Sequence, residues 1–215
     1  MNDNLHLRQP LHTLGPAPEA VGAVAILLHG RTQSPTDMFA IAERLNLPGM
    51  PFVAVEAAGK SWYPDKFMAP VQNNQPQLDY AIDRLEQLVV ELEDQGVSRS
   101  RIVLLGFSQG ACLACEYLYR YPRRWGGLIA YTGGLIGPAE TQWPVSGWLH
   151  GTPVFLANSD IDTWVPLART EKTAAVLAGM GADVQLEVYP QMEHLVNDQE
   201  ITFGRALLLN VLNKV

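Results

Sequence analysis

The sequence predicts an α/β protein in which helices flank a mostly parallel, twisted β-sheet. Three observations support this class. Short apolar runs alternate with segments of helical periodicity, a Gly-x-Ser-x-Gly pentapeptide lies between a strand-like and a helix-like segment, and the composition is that of a globular protein. The chain of 215 residues, with 47% hydrophobic and 17% charged residues, is long enough to bury one continuous core. We therefore expect a single domain over residues 1–215.

The first half of the chain alternates strand and helix patterns. Leucines among the polar residues of 5–14 allow an edge strand, and apolar runs predict strands at 21–29 and 51–56. Ser34, followed by proline, predicts the start of a helix that ends near Leu45.

The same alternation continues to the C-terminus, as a parallel sheet requires. Apolar residues at helical spacing predict a long packing helix at 77–95, which Gly96 ends. Further strands are predicted at 101–105, 126–131, 152–157 and 183–189, and further helices at 111–122, 166–179 and 201–212. In such a sheet, ligands bind beyond the carboxyl ends of the strands.

The pentapeptide around Ser108 connects the strand at 101–105 to the helix that follows. A sharp turn there needs little bulk on either side of the serine, and the flanking residues are Gly106 and Gly110. The turn lifts the serine hydroxyl above the sheet at a helix N-terminus, where the helix dipole favours a developing negative charge. The pattern predicts that Ser108 is a nucleophile.

A serine hydroxyl needs a base, and the base needs an orienting group. In α/β-hydrolases with this elbow the order along the chain is serine, acid, histidine. Only His150 and His194 of the five histidines follow Ser108, and the acids just past the strand at 152–157, Asp160 and Asp162, both follow His150. The order therefore selects His194 as the base, while spacing gives Asp162 only a slight preference over Asp160.

Acyl transfer also requires N–H donors for the oxyanion of the tetrahedral intermediate. The N–H of Gln109, directly after the serine, is one predicted donor, and the N–H of Arg31, in the loop after the strand at 21–29, is the other. We expect His29 to be structural, with its ring bound to loop carbonyls.

Apolar residues in the predicted active-edge loops suggest an apolar acyl or aryl group of short to medium length. Trp62, Tyr63, Leu135 and Trp143 are the predicted substrate-binding residues. Phe67, Ile136 and Trp148 lie in the same loops. The alternative is that several of these side chains anchor the loops in the core.

The formal charge of −7 is spread along the chain without a basic block, which argues against nucleic acid as a partner. The polar N-terminal segment lacks a signal-peptide pattern, and no apolar run reaches membrane-spanning length. We expect a cytoplasmic protein without stable membrane association. The sequence leaves the oligomeric state open, and a homodimer is one of the alternatives.

Cys112 and Cys115 fall inside a predicted helix, so we interpret them as buried hydrophobes rather than a redox or metal pair.

Five segments together resemble the phospholipase/carboxylesterase family of small α/β-hydrolases, which includes the acyl-protein thioesterases. They are Leu27–Arg31, Ser61–Pro64, Val103–Ala111, Asp162–Pro166 and Met192–His194. The resemblance covers almost the whole chain from Ala23. It implies an α/β-hydrolase fold without a large lid, Asp162 rather than Asp160 as the acid, and a serine esterase without cofactor or metal.

The chain departs from the family pattern at two places. Arg31-Thr32-Gln33 replaces a more Gly-rich turn, and Ala157-Asn158-Ser159 stands where a His-Gly pair often precedes the acid. These features place the chain nearer the bacterial carboxylesterases than the eukaryotic thioesterases.

The expected partner is a small-molecule ester, and three alternatives remain. An acyl thioesterase or lysophospholipase would use the same catalytic groups. A non-catalytic binding protein would have no need of Ser108, Asp162 and His194 together. A metal-dependent hydrolase would have to use His29, His150, Asp160 and Glu56, which lack metal-ligand spacing.

Overall fold

A computed structural model describes residues 3–213, so Met1, Asn2, Lys214 and Val215 lie outside the described residues. The described chain forms a seven-stranded sheet in the spatial order β1-β3-β2-β4-β5-β6-β7. Its strands are β1 (Leu11–Leu14), β2 (Val24–Leu28), β3 (Phe52–Val55), β4 (Ile102–Phe107), β5 (Gly127–Tyr131), β6 (Pro153–Ser159) and β7 (Asp183–Tyr189). Only β1, on the edge, pairs antiparallel, with β3, and the other pairs are parallel.

Helices lie on both faces of the sheet. They are α1 (Pro18–Val21), α2 (Pro35–Leu45), α3 (Gln77–Asp94), α4 (Gln109–Arg120), α5 (Leu167–Gly179) and α6 (Asp198–Leu212). Four 3-10 helices add Leu5–Arg8, Ala58–Lys60, Val71–Asn74 and Arg99–Arg101. The predicted alternation of strands and helices is confirmed. Over residues 3–213, no helix is both long and apolar enough to cross a membrane.

The sheet separates two apolar cores. One core contains the buried faces of α3, α4 and α5, represented by Leu85, Leu113 and Leu177. The other contains those of α2 and α6, represented by Met38 and Leu208. Because β2, β4 and β5 are covered on both faces, their residues are buried along their whole length, as expected of central parallel strands.

Element ends differ from the sequence prediction at a few positions. Val21 was expected to open a strand but ends α1, and Gly22 follows in the left-handed conformation with φ of 69°. Strand β6 runs two residues further than expected, to Ser159, because its whole length pairs with β7. Helix α6 begins at Asp198 rather than at Ile201, because Asn197 and Glu200 form a capping box there.

Candidate active site

Ser108 occupies the sharp turn between β4 and α4. Its φ of 54° and ψ of −119° are strained for a residue with a Cβ. A Cβ on Gly110 would lie 2.1 Å from the Leu28 carbonyl oxygen, and one on Gly106 would lie 2.5 Å from the Gly110 carbonyl carbon. Because backbone fills both spaces, the predicted elbow requires glycine at both positions.

The structure brings Ser108, His194 and Asp162 into one hydrogen-bonded chain. The Nε2 atom of His194 lies 2.9 Å from the Ser108 Oγ, and its Nδ1 lies 2.6 Å from the Asp162 Oδ2. The Asp162 carboxylate has no exposed surface, whereas 21% of the His194 side chain is exposed. Because a carboxylate only accepts, Nδ1 carries the proton and Nε2 is free to accept the serine proton.

Asp162 and Asp160 make different contacts. The second oxygen of Asp162, Oδ1, accepts the backbone N–H groups of Trp164 and Val165, both at 2.8 Å. Asp160 is exposed and accepts the N–H of Gln191 at 2.8 Å, so it joins the acid loop to the base loop. Of the two aspartates that spacing hardly separated, the structure places Asp162 against the histidine.

The loop that carries His194 is attached to the body of the protein at its far end. Arg44 of α2 donates to the Val196 carbonyl at 2.9 Å and to the Asp198 carboxylate at 2.8 Å. At the start of α6, Asn197 and Glu200 cap each other's backbone N–H groups. The Phe107 ring lies 5.0 Å from the His194 ring and supports it from the end of β4.

Glu200 is an unusual capping residue because its side chain is buried. Its Oε2 accepts the Asn197 N–H at 2.6 Å, but its Oε1 has no hydrogen-bond partner within residues 3–213. Burial raises the pKa of Glu200 to about 7, although the Asn197 hydrogen bond and the charge of Arg44 act in the opposite direction.

The loop after β2 leaves one backbone donor available. The N–H of Gly30 donates to the Gln33 side chain at 2.8 Å, that of Thr32 to the Lys60 carbonyl at 2.8 Å, and that of Gln33 to the Gly30 carbonyl at 3.2 Å. The Arg31 N–H donates to no residue of the described chain. Because Arg31 is exposed, its N–H is open to solvent, and its function as an oxyanion donor stays a prediction.

The second predicted donor belongs to Gln109, the first residue of α4, whose N–H has no acceptor inside the helix. Its buried side chain has a function that the sequence did not indicate. The Gln109 Oε1 accepts the Trp62 N–H at 3.1 Å, while Nε2 donates to the Tyr63 carbonyl at 2.8 Å and to the Ser61 hydroxyl at 3.2 Å. Gln109 thereby fixes the segment 61–65 beside the serine.

The Arg31 side chain binds the same segment from the opposite direction. Its guanidinium donates to three successive carbonyls, those of Tyr63 at 3.0 Å, Pro64 at 2.7 Å and Asp65 at 2.5 Å. Both residues that carry the predicted oxyanion donors therefore hold 61–65 with their side chains. The Arg31 side chain thus has a structural contact of its own in this turn.

The burial of Trp62 and Tyr63 corrects the prediction that they bind substrate. Their side chains are 0% and 1% exposed, so no substrate reaches them in this structure. The Trp62 Nε1 donates to the His29 carbonyl at 2.8 Å, and its ring packs between those of His29, 5.0 Å away, and His6, 5.8 Å away. These residues anchor the loop, as the alternative interpretation proposed.

His29 has the structural position expected of it. Its Nδ1 contacts the Gly30 carbonyl at 2.7 Å, and its Nε2 accepts the Ala57 N–H at 3.0 Å. Burial lowers the pKa of His29, which favours this neutral form.

Of the other predicted substrate-binding residues, Leu135 needs correction, whereas Trp143 stays a prediction. Leu135 is completely buried in the core, so it too lacks a surface for substrate. Trp143 is partly exposed, but its ring is covered by cations, with the Arg169 guanidinium 4.8 Å and the Lys172 ammonium 4.9 Å from its centroid. Trp148 packs against Gly181, just before the amino end of β7, and so lies at the sheet edge opposite to Ser108.

The groups considered for a metal site are dispersed. Glu56 pairs with His12 at 2.9 Å, and residues 3–213 contain no group of three or more His, Cys, Asp or Glu side chains able to hold a metal ion. Cys112 and Cys115 are buried in α4, as predicted, and burial raises the pKa of Cys112 to about 12.

Three exposed apolar side chains next to the acid and the base were not predicted as site residues. Ile161 and Trp164 flank Asp162, and Leu195 follows His194. Their exposed fractions are 46%, 73% and 42%. The sequence did contain a signal, because each lies within two residues of a predicted acid or base.

A mostly parallel sheet, a strained serine elbow after its central strand, and an acid and a histidine at the same edge define an α/β-hydrolase. Across the described chain no inserted lid domain interrupts this arrangement. The model of the phospholipase/carboxylesterase family matches residues 16–208, so the chain belongs to that family.

Solved structures agree with this assignment. A phospholipase/carboxylesterase from Dyadobacter fermentans is 38% identical, with a TM-score of 0.89 over 94% of this chain and 96% of that one. The Bacillus cereus carboxylesterase, with 18% identity, has the same fold at a TM-score of 0.75 over 98% of this chain and 100% of that one.

Sequence relatives match over shorter segments. An acyl-protein thioesterase 1 from Gibberella zeae is 30% identical over 56% of this chain and 52% of its own length. A probable carboxylesterase from Oryza sativa subsp. japonica is 25% identical over 62% of this chain and 57% of its own length. The chain thus spans little more than half the length of these curated relatives.

Proposed function

We propose that this chain is a serine carboxylesterase that hydrolyses esters of small to medium apolar groups through an acyl-enzyme. The observation that carries the proposal is the continuous hydrogen-bonded chain from Ser108 through His194 to Asp162 at a serine elbow. Family membership supports it, since relatives are named carboxylesterase and acyl-protein thioesterase.

In the first step, the Nε2 of His194 removes the Ser108 proton as Oγ attacks the ester carbonyl carbon. Asp162 holds the proton on Nδ1 and stabilises the imidazolium that forms. The N–H groups of Arg31 and Gln109 stabilise the oxyanion. His194 then protonates the leaving alcohol oxygen, the C–O bond breaks, and Ser108 retains the acyl group.

In the second step, water replaces the alcohol. His194 accepts a proton from the water as its oxygen attacks the acyl-enzyme carbonyl, and the same N–H groups stabilise the second tetrahedral intermediate. Collapse returns the proton to the Ser108 Oγ and releases the carboxylic acid. Every group in this scheme belongs to the chain or to water.

The scheme serves a thioester or a lysophospholipid equally well, because the attacked carbonyl is chemically similar. The thioesterase alternative is favoured by the match to acyl-protein thioesterase 1. We also propose a small-molecule ester as the substrate, because relatives are named carboxylesterase and esterase, and a cytoplasmic location.

The test is intact-protein mass after treatment with a fluorophosphonate, together with hydrolysis of p-nitrophenyl esters of graded chain length. We expect one adduct on the wild type and none on Ser108→Ala, with kcat reduced by roughly 10⁴-fold or more in that variant. Ser98→Ala, at an exposed serine, is the matched control and should behave as wild type.

Two results would contradict the proposal. Near-normal activity of Ser108→Ala would remove the serine from the reaction, and sensitivity to a chelator instead would indicate a metal-dependent hydrolase. A wild type with neither adduct nor turnover would favour the non-catalytic binding protein.

A further inference from the structure

The exposed apolar side chains beside the acid and the base form a surface that the proposed mechanism does not use. We call Ile161, Trp164 and Leu195 the apolar rim. Trp164, at 73%, is the most exposed of the large hydrophobic side chains in the described chain. An indole left in water at such a position loses the burial energy that large apolar side chains normally gain, so a ligand that covers it binds favourably.

Trp164 is also fixed relative to the reacting groups. Its backbone N–H donates to the Asp162 Oδ1 at 2.8 Å, and its ring centroid lies 6.4 Å from that of His194. The next residue, Val165, is buried and donates to the same carboxylate oxygen, which anchors the turn. The backbone of the turn that carries the indole is therefore fixed beside the base by hydrogen bonds to Asp162.

The opposite side of the serine has a different chemical character. There the exposed charged residues are Lys60, Arg31 and Lys66, next to the exposed Thr32 and Pro64, and the aromatic side chains of that loop are buried. An apolar group of the substrate therefore finds exposed apolar surface on the side of the acid and the base.

The position of the base identifies which part of an ester lies on that side. His194 must deliver a proton to the leaving alcohol oxygen, so this oxygen approaches the His194 Nε2 in the transition state. The chain attached to that oxygen extends away from the carbonyl carbon past the imidazole. The rings of His194 and Trp164 are neighbours, so this path leads over the apolar rim.

We infer that the apolar rim binds the alcohol portion of the ester, that Trp164 determines this specificity, and that the preferred substrates are esters of apolar alcohols. The inference rests on the proposed function, because it uses His194 as the proton donor to the leaving group. It adds the substrate class, which is esters of apolar alcohols. Selectivity among esters then depends more on the alcohol than on the acyl chain.

Two ester series test the inference. One keeps the acetyl group and varies the alcohol from methanol through butanol and hexanol to benzyl alcohol, and the other keeps methanol and varies the acid from acetate to octanoate. The measured quantity is kcat/KM, which includes every step up to release of the alcohol. The variants are Trp164→Ala, Trp164→Phe and, as a matched exposed tryptophan at the opposite sheet edge, Trp148→Ala.

We expect kcat/KM of the wild type to rise along the alcohol series. Trp164→Ala should lower kcat/KM roughly tenfold for hexyl and benzyl acetate while changing methyl acetate less than about twofold. Trp164→Phe should restore most of the loss, because a ring again covers the chain, and Trp148→Ala should leave both series unchanged.

An equal loss across both series, or a loss confined to the acyl series, would overturn the inference. So would a Trp164→Ala profile equal to that of the wild type. The rate of fluorophosphonate labelling separates this result from failure of the proposed function. A wild type that labels at Ser108 and hydrolyses esters without dependence on Trp164 refutes only the apolar rim, whereas one that neither labels nor hydrolyses refutes the esterase.

Discussion

The two sides of the candidate site are built in different ways. On the oxyanion side, the segment 61–65 is held by the side chains of Arg31 and Gln109, and its aromatic rings are buried in the core. On the acid and base side, Asp162 and His194 lie on loops that expose Ile161, Trp164 and Leu195, and backbone turns and the Arg44 side chain hold these loops.

This difference matches what each side does in the proposed reaction. N–H donors stabilise an oxyanion best when they are fixed before the charge develops, because no energy is then lost in reorienting them. The base must instead exchange one partner for another, since an alcohol leaves and water enters beside His194. A rigid side and an accessible side are therefore both required, and the following predictions test that division.

The largest effect is expected on the accessible side, from Asp162→Asn. The amide oxygen can still accept from Trp164 and Val165, but the amide nitrogen cannot accept the proton of Nδ1, so His194 loses its productive tautomer. We expect kcat to fall by roughly 10⁴-fold, measured on p-nitrophenyl butyrate. Asp160→Asn is the control and should stay within a few-fold of wild type, and an equal loss in both variants would show that the acid was assigned wrongly.

On the rigid side, Gln109→Leu removes the side-chain contacts to 61–65 and retains the backbone N–H. It leaves the Trp62 N–H without its acceptor and removes one of the donors to the Tyr63 carbonyl, which Arg31 still contacts, so the loop beside the oxyanion shifts. We expect kcat to fall roughly 10²-fold with KM changed little, because the oxyanion exists only after attack.

Two comparisons distinguish an effect on the position of the loop 61–65 from a general effect of the substitution on folding. Gln185→Leu, at an exposed glutamine whose side chain bonds to Glu187, should leave kcat unchanged. A Gln109→Leu protein that loses stability to urea but keeps full kcat would assign the side chain to folding alone.

A smaller effect is expected from Glu200, which caps the helix after the base loop. Its pKa is about 7 in the folded protein against 4.5 for an ordinary glutamate, so between these values the folded state binds a proton that the unfolded state has lost. Protonation of Glu200 therefore stabilises the folded state fully below about pH 4.5, and this contribution disappears as the pH rises through 7. Glu200→Gln removes this dependence, so the difference in free energy of unfolding between the variant and wild type should shift in favour of the variant by about 2.5 kcal/mol from pH 5 to pH 8.

Urea unfolding at the two pH values measures this change, with Glu171→Gln, at an exposed position of α5, as the control. Parallel pH dependence in Glu200→Gln and wild type would show that Glu200 ionises as it would in water. The cap at Glu200 would then contribute nothing to the pH dependence of the free energy of unfolding.

The fold and the serine elbow could be predicted because they depend on local patterns. The strand at 101–105, the two glycines around Ser108 and the capping signal at Ser34 are each visible within a few residues, and each has the expected structure. His194 followed from chain order alone. Asp162 needed the family resemblance, because the hydrogen bond that distinguishes it from Asp160 joins residues 32 positions apart.

The surroundings of the site could not be predicted, because burial is a property of the assembled chain. Trp62 and Trp164 are both loop tryptophans next to site residues, yet one is 0% and the other 73% exposed. The difference arises because Trp62 finds two histidine rings and a carbonyl beneath the loop, while the turn at Trp164 is already anchored by Val165. The contacts between the Gln109 side chain and the loop 61–65 could not be predicted either, because nothing in the sequence near Gln109 indicates them.

The space around the elbow glycines also has a consequence for engineering. Because backbone atoms occupy the positions of a Cβ at Gly106 and Gly110, a substitution there displaces the main chain of the nucleophile instead of a neighbouring side chain. A mutant library aimed at new ester selectivity should therefore keep both codons fixed. Its diversity belongs at Ile161, Trp164 and Leu195, where exposed side chains can change size without disturbing the serine.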